Sequence, residues 1–93
     1  MIRRFADTET EKVWNGERPR RLPTDLHARA LIKLRILYRA RSLDDLRQPP
    51  GLRLHALKAD RVGRHSISTN MQWRICFVWC DGGAERVEIT DYH

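Results

Sequence analysis

Glycine, proline and cysteine are all scarce in this 93-residue chain, at five, four and two residues. So little glycine and proline excludes a collagen-like or low-complexity polypeptide. Two cysteines cannot build the disulfide framework of a small stapled domain. Cys76 and Cys80 fall in a segment that reads as a strand, where four residues span about 13 Å and a disulfide tolerates only about 7 Å. They are expected to be buried, reduced thiols. Long apolar runs are also missing. The longest runs from Ile75 to Cys80, far short of the ~18 residues of a membrane span. The opening Met-Ile-Arg-Arg-Phe has none of the apolar core of a secretory signal, so the expectation is a cytoplasmic protein with no membrane partner. Lysine is rare too: of 18 basic residues, only Lys12, Lys33 and Lys58 are lysines.

What the chain does have is arginine. The formal net charge is +6, and guanidinium groups bind phosphate through two parallel hydrogen bonds and stack on bases. A polyanionic partner is expected, nucleic acid first; a merely solvated arginine-rich surface is the competing reading. With 41% hydrophobic and 32% charged residues the composition is globular. The length suits one domain over residues 1–93.

Apolar periodicity divides the chain. Ile2 to Phe5 reads as an edge or first strand. Asp7-Thr8 caps a short helix through Trp14, with Glu9 and Glu11 in its first turn and Asn15-Gly16 as its stop. Pro23-Thr24-Asp25 opens a longer helix. Leu26, Ala30, Leu34 and Leu37 form its apolar stripe, widened by Leu31 and Tyr38. Ser42 caps a further short turn, which Pro49-Pro50-Gly51 ends. The period then becomes two. Leu54 to Leu57, Arg64 to Asn70, Gln72 to Cys80 and Ala84 to Thr90 read as strands, joined near Thr69-Asn70-Met71 and Asp81-Gly82-Gly83. Helices first and strands last predict an α+β domain, with the helices packed on one face of a small antiparallel sheet.

Familiar catalytic signatures are lacking: no phosphate-binding glycine loop, no nucleophile elbow, no H-E-x-x-H and no CxxC. A polar set remains, made of His55, Lys58, Arg61, Arg64, Arg74 and the closing Asp91-Tyr92-His93. If Ile75 and Phe77 face the helices, Arg74 points to the opposite face. The tail, extending the last strand, is expected to join it on that open face together with His55. Such a set suits RNA cleavage through the substrate's own 2′-hydroxyl. Histidine transfers protons near neutral pH, arginine and lysine stabilise a developing phosphorane, and tyrosine stacks on a base. No cofactor or metal is needed, because the nucleophile belongs to the RNA. A zinc site from His55, Asp91 and His93 is the chemical alternative, and His27 and His65 read as structural.

The segments "LHALKADR" (54–61), "GRHSIS" (63–68), "QWRICF" (72–77) and the closing "DYH" occur in an order and spacing that resemble the HigB-type toxins. Those toxins form part of the RelE/ParE superfamily of toxin–antitoxin systems. The resemblance extends to the "IRRF" start and the "DDLRQPPG" link, with one departure, Ala59, where many relatives carry glycine. It implies a RelE-like ribonuclease fold and a ribosome-dependent endoribonuclease that cuts mRNA in the decoding site of the small subunit. It also implies a HigA-like helix-turn-helix antitoxin, with operator DNA reached only through that partner. The family's active-site residues would fall on His55, Asp91, Tyr92 and His93, with Lys58 and Arg74 as supporting cations. A ParE-like gyrase inhibitor and a non-catalytic nucleic-acid-binding module are the alternatives. The imidazoles favour the nuclease, since an inhibitory surface has no need of paired proton carriers.

Overall fold

Both helices form where the sequence pairs an apolar stripe with a start signal. The structure, a computed structural model, describes residues 1–57 and 63–91. The candidate residues Lys58, Arg61, Tyr92 and His93 therefore lie outside the described residues. Helix α1 spans Thr8–Trp14, and the Asp7 side chain accepts the Thr10 N–H at 2.7 Å, satisfying a donor that has no partner within the helix. It stops at Asn15, followed by Gly16 at φ 82°. Helix α2 spans Thr24–Arg39 and buries Leu26, Ala30, Leu34 and Leu37. Tyr38, expected to widen that stripe, is instead half exposed and packs its ring against Trp14 at 5.4 Å.

The link to the sheet is two 3-10 turns, Leu43–Leu46 and Pro50–Leu52. The first carries the expected Ser42 cap, closed reciprocally by Asp45. The second is an addition to the expectation: Pro49-Pro50-Gly51 does not simply end regular structure. It starts a turn that delivers Leu52, fully buried, to the core.

Among the described residues four strands follow: β1 His55–Ala56, β2 Arg64–Ser68, β3 Trp73–Cys80 and β4 Gly83–Asp91. They pair in chain order as an antiparallel meander. Asp81 and Gly82, both at positive φ (50° and 75°), make the tight β3–β4 turn, a geometry that matches the twist of the flanking strands. Ile67, Ile75, Phe77 and Ile89 meet the helices' leucines in one core, which confirms the α+β arrangement. Each fully buried leucine contributes roughly 1.5–3 kcal/mol.

Two departures concern β4. Ile2 to Phe5 is not a strand: it touches β4 through two isolated parallel bridges, Ile2 to Ala84 and Phe5 to Val87. The reason is a bulge. Between Cys76 and Val78 on β3 lies one residue, but between their partners Glu88 and Glu85 lie two, Arg86 and Val87. Arg86 takes a left-handed φ of 52°. The extra residue bends the strand, so the N-terminal segment docks at separate points. The Thr10 hydroxyl accepts the Ile89 N–H at 2.9 Å. Together these contacts cover an edge that would otherwise be open to pairing with another chain.

Candidate functional site at one end of the sheet

Register decides which polar side chains meet. Residues directly opposed on antiparallel strands project to the same face. His55 opposes Ser66, Ser66 opposes Cys76, and Cys76 opposes Glu88. Ser68, Arg74 and Thr90 form the neighbouring row, and Arg64 opposes Val78. All of these lie on the face away from the helices, as expected for Arg74 and His55.

Asp91 does not. It opposes Trp73, which alternates with Arg74 and shares a side with core residues Ile75 and Phe77. The bulge at Arg86 is the cause, because one inserted residue moves everything beyond it to the other face. The expectation that Asp91 would share the open face is thus corrected. What gathers the residues is the end of the sheet rather than its face. His55 opens β1, Ser68 closes β2, Arg74 is near the start of β3, and Asp91 closes β4.

At that end Arg74 is held firmly. Its Nε donates to Ser66 Oγ at 2.7 Å, and its Nη2 donates to the carbonyls of Arg53 at 2.6 Å and Ser66 at 3.3 Å. Ser66 is buried. Arg53 sits in the left-handed region at φ 47°, ψ 59°, a conformation that costs a residue with a Cβ roughly 1–2 kcal/mol. The Arg53 contact carries the Arg74 guanidinium across β2 to the chain just before His55. Gln72 Nε2 donates to Asp91 Oδ2 at 3.1 Å. The intervening turn is fixed by Asn70, whose Oδ1 accepts the N–H groups of Gln72 and Trp73 at 2.9 and 2.8 Å. Arg53, Ser68, Asn70, Gln72 and Arg74 line an open cleft of about 560 Å³.

Arg64 lies four residues along β2 from Ser68, about 13 Å in an extended strand. Its Nη2 contacts Glu88 Oε1 at 3.2 Å, a pair that spans from β2 to β4 above β3. The structure therefore does not bring Arg64 to the His55–Arg74 end. Beneath that pair lies Cys76, 3% exposed. Burial pushes its thiol pKa up and Glu88 adds to the rise, while a hydrogen bond with Thr90 and the charges of Arg64 and Arg74 oppose it. Cys80, by contrast, is exposed, so only one of the two thiols is buried as expected. His27 Nε2 donates to the Leu22 carbonyl and His65 Nδ1 to that of Gly63, both at 3.0 Å. The His65 ring also stacks on Phe77. Both rings thus make contacts within the fold, which fits the structural reading of the sequence.

Sequence reasoning missed three contributors: Ser66, the Arg53 carbonyl and Gln72. Alternation placed Ser66 on the face of Arg74, which was a usable signal. Nothing in the local sequence marks Arg53 for a left-handed conformation.

The chain matches the family model for the HigB-like toxin, described as the RelE-like toxin of the type II toxin–antitoxin system HigB, over residues 3–93. It is 36% identical to Toxin HigB-1 of Vibrio cholerae over 85 residues, covering 90% of each chain. It is also 44% identical to Endoribonuclease HigB of Proteus vulgaris over 41 residues, covering 44% of this chain and 45% of that protein.

Proposed function

The chain belongs to the HigB-like toxins of type II toxin–antitoxin systems, and from that premise we propose that it is a ribosome-dependent mRNA endoribonuclease. The observation that carries this reading is the placement of His55 and an oriented Arg74 at the same end of the sheet. A relative named as an endoribonuclease supports it. In the proposed reaction the RNA 2′-oxygen attacks the adjacent phosphorus and the bond to the 5′-oxygen breaks. A base takes the 2′-hydroxyl proton, and an acid delivers a proton to the leaving 5′-oxygen. His55 is one of these proton carriers. Arg74 stabilises the phosphorane, whose equatorial oxygens carry more negative charge than the ground state. Asp91, Tyr92, His93, Lys58 and Arg61 complete the proposed set. Asp91 is positioned by Gln72, and the other four are assigned from their places in the sequence. Arg64, held on Glu88, is left outside it. No metal enters this reaction. A HigA-like helix-turn-helix antitoxin is the proposed regulator, and it alone connects the toxin to operator DNA.

Induction in cells followed by primer extension tests the reading. New 5′ ends inside translated mRNA are expected, and they should vanish with His55→Ala, since proton transfer by a positioned side chain contributes about 10²–10⁴-fold. Intact mRNA with broken DNA would replace this reading by gyrase poisoning. In a purified translation system, cleavage lost on chelation and restored specifically by Zn²⁺ would replace it by a metal mechanism.

A further inference from the structure

The cleft at the catalytic end does not stop at the sheet. Its far wall is Arg29 of α2. Arg29 and Thr69 also line a second hollow of about 270 Å³, which continues along α2 to Ile32 and Lys33. Arg29 and Lys33 are one helical turn apart, so their side chains stand side by side about 6 Å along the axis. Among the described residues, neither hollow is lined by a carboxylate. Among the described residues no ion pair engages the Arg29, Lys33 or Arg53 side chains, whereas Arg3, Arg47 and Arg64 each meet an acid. A second observation lies where the two hollows join. Thr69 is only 6% exposed, and among the described residues its hydroxyl has no hydrogen-bond partner. A buried hydroxyl left unsatisfied is costly, and because Thr69 lines both hollows, a turn of its side chain would offer that hydroxyl to a phosphate oxygen. On the rim, Met71 projects fully into solvent, an adaptable apolar surface of the kind that packs against a flat ring.

We propose that this continuous groove, from Arg74 past Arg53, Thr69 and Arg29 to Lys33, is a binding track for the backbone phosphates of single-stranded RNA next to the cleaved phosphate. The inference rests on the ribonuclease reading and extends it by adding a strand path that leaves the sheet and ends on α2. An extended single strand fits better than a duplex, because the groove runs over a helix shoulder and its cations, Arg74, Arg53, Arg29 and Lys33, follow one another along a single path. Single strands are bound in this way, by a charged groove that follows the backbone.

The track is tested with a short 2′-O-methyl oligoribonucleotide, which lacks the nucleophile and cannot be cut, titrated by fluorescence anisotropy at several salt concentrations. Each phosphate contact contributes about 0.7 to the slope of log affinity against log salt. Arg29→Gln/Lys33→Gln should therefore lower the slope by about 1.4, losing about sevenfold less affinity than the parent on a fourfold rise in salt. Arg86→Gln, the same type of charge change on the β4 bulge, should leave the slope unaltered. In mRNA cleavage the double variant should raise KM more than it lowers kcat. A parent that fails to bind the oligonucleotide at low salt, or a double variant with the parent's slope, would overturn the track. Cleavage by the parent, scored separately by primer extension, decides the ribonuclease reading on its own. Equal weakening by Arg86→Gln would reduce the effect to net charge and also overturn the proposal.

Discussion

Arg64 and Arg74 occupy the same face of adjacent strands, yet they sit in opposite surroundings. Arg64 is locked onto Glu88 across β3, closing the surface over Cys76. Arg74 is gripped by a hydroxyl and two carbonyls and lines an open cleft. The lesson is that an arginine's position on a strand says little about its role, whereas its acceptors say a good deal. A carboxylate partner cancels the charge locally. Oxygen dipoles of Ser66 and Arg53 fix the geometry of the Arg74 guanidinium at the wall of the cleft. On the proposed function, one end of the sheet serves cohesion and the other recognition.

Removing the two guanidiniums in turn is the severest test of that contrast. Arg74→Ala should lower single-turnover cleavage by about 10²–10³-fold, the scale of losing one preorganised charge donor. Arg74→Lys should recover only part, because an ammonium cannot reproduce the fork that reaches both Ser66 and Arg53. Arg64→Ala should instead cut at close to the parental rate. A loss at Arg64 matching that at Arg74 would erase the distinction between the two ends.

The smaller change expected at Arg64 is in stability. Its side chain is 19% exposed and that of Glu88 34%, so solvent screens the pair, and its loss should cost about 1 kcal/mol in urea unfolding. Adding Glu88→Ala should return part of that cost, because the stranded carboxylate goes with it. A double variant less stable than the sum of the two singles would contradict the ion-pair reading. Ser66→Ala is milder on activity. It removes the acceptor for Arg74 Nε but leaves the two carbonyls, so kcat should fall about tenfold or less through loosened alignment. KM should change less than kcat; a fall confined to stability would make Ser66 a packing residue.

Much of this contrast was legible beforehand, and where it was not the cause is physical. Alternation through Trp73-Arg74-Ile75 placed Arg74 opposite the core, and the Asp81-Gly82 turn set the register of the hairpin. What alternation could not carry was the bulge. Counting back from the turn without it pairs Asp91 with Gln72 and puts its carboxylate on the open face. With it, Asp91 pairs with Trp73 and faces the other way. The clue was present in the apolar spacing of β4: Ala84, Val87 and Ile89 are all buried, a step of three followed by a step of two. The Arg64–Glu88 pair depends on the same inserted residue, so it too was out of reach. The grip of the Arg53 carbonyl on Arg74 joins residues 21 apart through a left-handed turn, and tertiary contacts alone hold that in place.

The two cysteines allow the gentlest probe of the closed end. Both lie on β3, but Cys76 sits beneath the Arg64–Glu88 pair while Cys80 is open to solvent. A disulfide reagent at mildly alkaline pH should modify Cys80 promptly and Cys76 slowly. Access is restricted at Cys76, and burial holds its pKa above that of an ordinary thiol, which reduces the reactive thiolate. Arg64→Ala should speed the Cys76 reaction, the gain in access outweighing the loss of a charge that favours its thiolate, without touching Cys80. The same shift fixes a sign for stability. Once pH exceeds the ordinary thiol value, near 8.5, unfolded Cys76 loses its proton while folded Cys76 still holds one. The unfolded state then binds fewer protons, so stability must fall as pH rises through that range. Replacing Cys76 with serine should remove this component of the alkaline decline, whereas the same change at Cys80 should not. Equal labelling rates at the two thiols would mean that the Arg64–Glu88 pair is no lid, and that the two ends of the sheet differ in charge but not in access.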